Sequence, residues 1–456
     1  MHERLVDAIK AAIAGGRLAP GHLLPSSRTL AGELGCSRWV VNEAYTQLVA
    51  EGHLQARQGS RTRVATCAAP PAPVGAPVAA LDPPAFVADL RPGAPDVNSF
   101  PTAAWVRSLR HVLTTPAWSP PVFPPAEGVP RLREVVAAYL RRARGIPVGG
   151  DEVLITCGAS HGTAAVARVL AAVTTPRLAV EDPGWFRLRE IAAAAGLGIE
   201  PVAVDAAGVD VGAVRRAGVA AVLCAPAHQF PTGTVLSPER RRALLAWAAG
   251  HGATIVEDDY DAEFRYDGRP VGALASLGRD HVVYLGTVSK TLHPGLRLGW
   301  IVPPPALRRP LLAALAASGG GPGTLEQLTF AHFVETGGYD RHLRRVRRAY
   351  RNRRDALVTA LDSHPVIRDC GPLHGIAAGL HVTVPLPPQS NDRVIVERLA
   401  EVGVAAVPLS RYTIRPQPPA LVIGYGRLAP ARAAWAADQI ANAIHASDPE
   451  QDAVRR

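Results

Sequence analysis

Lysine is all but missing from this chain. Of its 49 Lys and Arg residues only Lys10 and Lys290 are lysines, so arginine serves wherever a fixed positive charge is enough. A guanidinium stays protonated at any working pH, whereas an ammonium can lose its proton and attack a carbonyl. The lysine kept inside TVSKTLHPGLRLGW, residues 287–300, is therefore a candidate nucleophile. Long apolar runs are missing too. No stretch of 18 apolar residues occurs, which argues against a membrane span. The opening MHERLVDAIK carries both signs of charge, unlike the basic, then apolar, order of a signal peptide. The cysteines, Cys36, Cys67, Cys157, Cys224 and Cys370, are odd in number and lack CxxC spacing. Reduced thiols in a cytoplasmic protein are expected, with neither a disulfide framework nor a zinc site.

What is present suits a globular protein. The 456 residues, 48% hydrophobic, allow two or three domains and a large core. The net charge of +10 hints at an acidic partner, yet residues 1–66 hold eight basic against five acidic side chains. The densest block is RHLRRVRRAYRNRRD, 341–355, with eight arginines. It is expected to be a long helix with a solvated or subunit-facing basic side, the sharper alternative being a phosphate-contacting surface.

Residues 66–85, TCAAPPAPVGAPVAALDPPA, contain six prolines and almost no charge, which excludes a regular helix. At roughly 3.1 Å per residue such a tether spans about 60 Å. The chain thus divides into a small domain over 1–65, a linker over 66–88 and a large domain over 89–450.

The small domain begins with Leu5, Ile9 and Ile13 on one helical face, ended by Gly15-Gly16. Pro25-Ser26-Ser27 supplies a cap for a second helix carrying Leu30 and Leu34, which Gly35 breaks. Ser37 caps a third, whose inward face is Val40 or Val41, Ala44 and Leu48. Two helices around a tight Gly-containing turn make a helix-turn-helix candidate, and HLQARQGSRTRVA reads as a small β-hairpin about Gln58-Gly59. The stretch GRLAPGHLLPSSRTLAGELGCSRWVVNEAYTQLVAEGHL followed by RQGSRT resembles the winged helix-turn-helix of the GntR family of bacterial regulators. That resemblance implies a recognition helix over 37–51, entered at Ser37, with Arg38 and Asn42 toward the major groove. It also implies a base or backbone contact from Arg28 and a wing at Gly59–Arg61 on the minor groove or phosphates. Arg61 stands where the family usually has glycine.

In the large segment, DEVLITCGAS, AAVLCAPAHQFPTG, ATIVEDDYD and HVVYLGTVSK are apolar runs ending in polar residues, set between helical patterns. They predict a mostly parallel sheet covered on both faces, with the site at the carboxyl ends of its strands. Lys290 falls at such an end, with Thr287, Ser289 and Arg297 beside it: an amine for a Schiff base next to groups that hold a phosphate. GASHG, 158–162, leads into a helix whose free N–H groups form an anion site. Asp258 could stabilise a protonated pyridine nitrogen, Tyr260 points to the same side, and Trp185 in EDPGW offers a face for ring stacking. Each has a plainer reading: a surface lysine, a core tryptophan, or a Mg²⁺ or Ca²⁺ site at Asp258, Asp259, Asp261 and Glu263.

SKTLHPGLRLGW, EDDYDAEFRY, HQFPTG, EDPGW, CGASHG and EGVPRLREVVAAYLRRARG resemble the fold-type-I aminotransferase domain of the MocR/GabR subfamily of GntR regulators, over nearly all of 89–440. The resemblance implies pyridoxal 5′-phosphate held by Lys290, with Asp258 on the ring nitrogen, Tyr260 on the ring hydroxyl and Trp185 stacked on the ring. Ala159, Ser160, Thr287, Ser289 and Arg297 would surround the phosphate, and Arg427 or Arg187 would take an effector carboxylate. Three positions depart from the aminotransferase pattern: Phe230 for the Asn before Pro-Thr-Gly, Phe123 for a phosphate-binding tyrosine, and His161 for a common Gln. The expected protein is a homodimeric regulator that binds paired operator half-sites and senses an amine or amino acid by external aldimine formation at Lys290. An aminotransferase with an autoregulatory DNA-binding domain and a cofactor-free dimerisation scaffold are the alternatives.

Overall fold

The computed structural model describes residues 1–56, 61–66, 86–115, 124–172, 176–268 and 271–446. The expected linker from residue 67 to 85, Gly59 of the wing and Phe123 lie outside the described residues. Two compact units divide between residues 84 and 85.

The first unit is built by its caps. In the helix His2–Ala14, Val6, Ile9 and Ile13 are buried, and Leu5 is partly buried against the same core. Ser26 accepts a hydrogen bond from Thr29 N at 3.1 Å and starts the helix Ser27–Leu34, which Gly35 ends in the left-handed region at φ 60°. Leu34, expected to be part of the apolar face, is exposed; the short helix buries Ala31, with Leu30 partly buried against the same core. Ser37 caps Arg38–Ala50, and Val41 rather than Val40 joins Ala44, Tyr45 and Leu48 in the core. Leu54–Gln55 and Arg63–Val64 pair antiparallel, the base of the expected hairpin.

The second unit centres on an eight-stranded sheet. From one edge the order is Leu154–Thr156, Gly299–Val302, Val282–Thr287, Thr254–Asp259, Ala221–Cys224, Arg177–Asp182, Gly198–Asp205 and Gly208–Val209. The pairs from Val282–Thr287 through Gly198–Asp205 are parallel; Gly299–Val302 and Gly208–Val209 run antiparallel to their neighbours. All six residues of Val282–Thr287 are buried, as a strand covered on both faces requires. A smaller antiparallel sheet, Val407–Pro408, Ala420–Gly424 and His381–Pro385, packs with the helices Gly338–Ser363 and Ala433–His445 around its own core.

The arginine block sits on Gly338–Ser363. Six of its eight arginines are engaged within the unit rather than left for phosphates. Arg341 and Arg345 donate to the carbonyls of Thr336 and Ser99, Arg347 and Arg351 to those of Gly268 and Tyr266, Arg353 to Asp96, and Arg354 to Asp355. No helix among the described residues is long and apolar enough to cross a membrane.

Candidate functional site

Lys290 follows the strand Val282–Thr287 at its carboxyl end. Its Nζ donates to the carbonyl of Gly93 at 2.6 Å. Burial pushes the amine pKa down; Asp261 and then Asp258 pull it back, and Arg427 adds to the lowering. The neutral, nucleophilic amine is thereby more accessible than on a surface lysine.

One strand over, Asp258 is the last residue but one of Thr254–Asp259, with Leu285 beside it in register. Burial first, then repulsion from Asp259 and Asp261, raise its carboxyl to about 7, and Lys290 works against the rise. Asp258 Oδ1 is buried and has no hydrogen-bond partner among the described residues. Such an oxygen calls for an N–H donor inside the cavity, which a protonated ring nitrogen would supply. Asp259 faces the other way along the strand, paired to Arg144 at 2.6 Å and to the Tyr284 hydroxyl at 2.6 Å. Glu263 takes the Tyr139 hydroxyl. No group of three or more acids, histidines or cysteines that could hold a metal ion occurs among the described residues, so the four acids considered as a metal site do not converge on one.

An anion cup is formed where the chain crowds together. Gly158, at φ 91°, turns the strand Leu154–Thr156 into the helix Ala159–Ala171, exposing the first-turn N–H groups of Ala159 and Ser160. Gly299 has to be glycine, since a Cβ there would stand 2.7 Å from Gly286 O and 2.8 Å from Gly158 Cα. Thr287 Oγ1 lies 2.9 Å from Ser289 Oγ, and Arg297 adopts φ 50°, an uncommon value for a side-chain-bearing residue. His161 holds the same turn: Cys157 N donates to its Nδ1 at 3.1 Å, while its Nε2 meets Ser318 Oγ at 2.8 Å.

One cavity of about 210 Å³ is lined by Lys290, by all eight residues expected around the cofactor and by Arg187. Arg427 lies outside that lining, its guanidinium held by Asp89 at 2.7 Å and by the carbonyl of Pro95 at 3.1 Å. Trp185 serves both the cavity and the core. It stacks on Tyr412 with centroids 5.8 Å apart and meets Phe230 edge-on at 5.2 Å.

Sequence reasoning missed a second layer beneath Tyr260. The Tyr260 hydroxyl lies 3.1 Å from His228 Nδ1, which is 3.0 Å from the Asp261 carboxylate. His228 Nε2 is buried without a partner among the described residues. Gly379, at φ 68°, packs so close that a Cβ would collide with both His228 and Asp261. Glu181 is a further acid, half-buried, raised to about 8 by desolvation although Ala225 N donates to it at 3.1 Å. Only the histidine of HQFPTG and the acid of EDPGW offered a signal, and neither reveals its partner in the sequence.

In the first unit, Arg28, Arg38 and Asn42 are exposed, and Arg38 Nε reaches Ser27 Oγ at 3.3 Å. Asn42 and Arg61 line one cleft together with Ser26, Ser27 and Thr62.

Comparison with known proteins matches both units. The model for bacterial regulatory proteins of the gntR family covers residues 1–64, and that for aminotransferase class I and II covers residues 96–446. The HTH-type pyridoxine biosynthesis transcriptional regulator PdxR of Corynebacterium glutamicum is 33% identical over 411 residues, spanning 90% of this chain and 88% of that protein. The probable rhizopine catabolism regulatory protein MocR of Rhizobium meliloti is 32% identical over 455 residues, spanning 94% and 91%. Among solved structures, kynurenine aminotransferase of Pyrococcus horikoshii superimposes with a TM-score of 0.73 at 24% identity, covering 79% of this chain and 91% of that one. The second unit thus has the fold of the aminotransferases.

Proposed function

The chain belongs to the MocR/GabR group of GntR-family transcriptional regulators, and from that premise we propose that it holds pyridoxal 5′-phosphate at Lys290 and senses a primary amine or amino acid there. The observation that carries the reading is the orphaned Asp258 Oδ1, buried in the same cavity as a lysine of lowered pKa and an anion cup. When bound, the cofactor supplies a carbonyl carbon open to primary amines and an electron-withdrawing ring.

The chain's own groups divide the remaining work. Ala159 and Ser160 at a helix N-terminus, with Thr287, Ser289 and Arg297, hold the phosphate. Asp258 would hold a ring nitrogen in its protonated form, and that cationic N–H would offset the burial and the repulsion that now raise the carboxyl. The Gly93 carbonyl orients the Lys290 amine, Trp185 provides an apolar face, and Tyr260 presents a hydroxyl steadied by His228. Arg187 stands ready for an effector carboxylate, whereas Arg427 would first have to leave Asp89. Phe230 withholds the amide that aminotransferases place near the ring hydroxyl, which favours sensing over turnover.

Effector binding is read out on operator DNA, with a homodimer placing two winged helices on paired half-sites. By linkage, DNA must change effector affinity by the same factor as the effector changes DNA affinity. The test is DNA binding by the cofactor-loaded wild type and Lys290→Ala across a panel of amines and amino acids. A response confined to the wild type supports the reading; identical responses remove Lys290 from the mechanism.

A further inference from the structure

The helix Arg38–Ala50 carries an unusually placed indole. Trp39, its second residue, is 68% exposed. Val41, Ala44, Tyr45 and Leu48 face the core, and at about 3.6 residues per turn the direction opposite them is occupied by Trp39, Glu43 and Thr46, with Asn42 on the flank. The indole therefore sits at the centre of the outward face, not at its margin.

The start of this helix is fixed. Ser37 caps it through Val40 N, and Arg38 is tied to Ser27 Oγ, so Trp39 projects from a rigid first turn. The flanking residues are polar: Asn42 and Thr46 line a cleft shared with Ser26, Ser27 and Arg61. Glu43, one turn on from Trp39, is exposed and would repel phosphates. That carboxylate disfavours docking this face on the DNA backbone and suits base edges, where cytosine N4 donates.

An exposed indole gains by leaving water, and the floor of the major groove offers one apolar group, the thymine C5-methyl. We propose that Trp39 is a specificity-determining residue that packs on a thymine methyl in each operator half-site. This rests on the family reading of the first unit as the DNA-binding domain.

The test uses the full-length protein to select its preferred duplex from a random-sequence pool. Each thymine in the recovered site is then replaced singly by deoxyuridine, which removes only the methyl. At one thymine per half-site the wild type is expected to bind about fourfold more weakly, the worth of one buried methyl-sized group. Trp39→Ala, with an unchanged melting temperature, should bind the thymine duplex more weakly and show no further loss at that position. If no deoxyuridine substitution weakens the wild type, or if every one weakens Trp39→Ala equally, the proposal is overturned while DNA binding stands. Recovery of no preferred duplex would remove the DNA-binding reading first, and this proposal with it.

Discussion

Lys290 and Gly93 lie 197 residues apart in the chain, and the lysine Nζ donates to the glycine carbonyl at 2.6 Å. The backbone favours glycine here, with φ at 69°, and a Cβ would stand 3.1 Å from Nζ, close enough that the amine would have to shift. Gly93→Ala is expected to cost about 1–2 kcal/mol in backbone strain and to push the amine from its position. Denaturant unfolding and an absorbance titration with pyridoxal 5′-phosphate check the two effects. Wild-type values in both would mean that this carbonyl does not place the lysine.

Asp258 ties stability to pH. Its folded pKa of about 7 stands above the ordinary carboxylate value of about 3.9, so its contribution is fully present below the lower value and lost as pH rises through the higher. Unfolding of the cofactor-free protein is expected to become easier between pH 4 and 7, by on the order of 4 kcal/mol from this group. Asp258→Asn should flatten that part of the profile and weaken cofactor binding at least about tenfold, the loss of a hydrogen bond to a charged group. A stability profile with the wild-type slope would show that Asp258 is not the titrating carboxyl.

The pair His228 and Asp261 is expected to position Tyr260 without touching the effector. His228→Phe removes that support, and a poorly aimed Tyr260 hydroxyl leaves an oxyanion in the cavity more basic. The pH at which the loaded protein's visible band changes should rise by about one unit. His228→Asn, which keeps a donor, should move it less. An unchanged pH profile in a well-folded His228→Phe protein would reduce the pair to a packing role.

Arg187 and Arg427 should separate by their partners. Arg187→Ala is expected to abolish the DNA-binding response to α-amino acids while sparing simple primary amines, because only the former need a cation for their carboxylate. Arg427→Ala breaks the contact with Asp89, partly exposed to solvent, and should lower stability by about 0.5–1 kcal/mol. Loss of the amino-acid response in Arg427→Ala alone would reverse the assignment.

The sequence by itself determined what depends on near neighbours. Ser26, Gly35 and Ser37 carry helix starts and stops in their own backbone preferences, and unbroken apolar runs such as HVVYLG mark strands covered on both faces. Lys290 could be singled out because its chemistry differs from that of every arginine around it. The tertiary structure decided what depends on strand order and burial. It brought Gly93 to Lys290, set His228 against Asp261, and tied Arg427 to Asp89. It also spread most of the arginine block over carbonyls that no periodicity announces. Periods of about 3.6 and 2 report which way a side chain faces, whereas a pKa or an ion pair depends on the low-dielectric neighbourhood that only the packed chain creates.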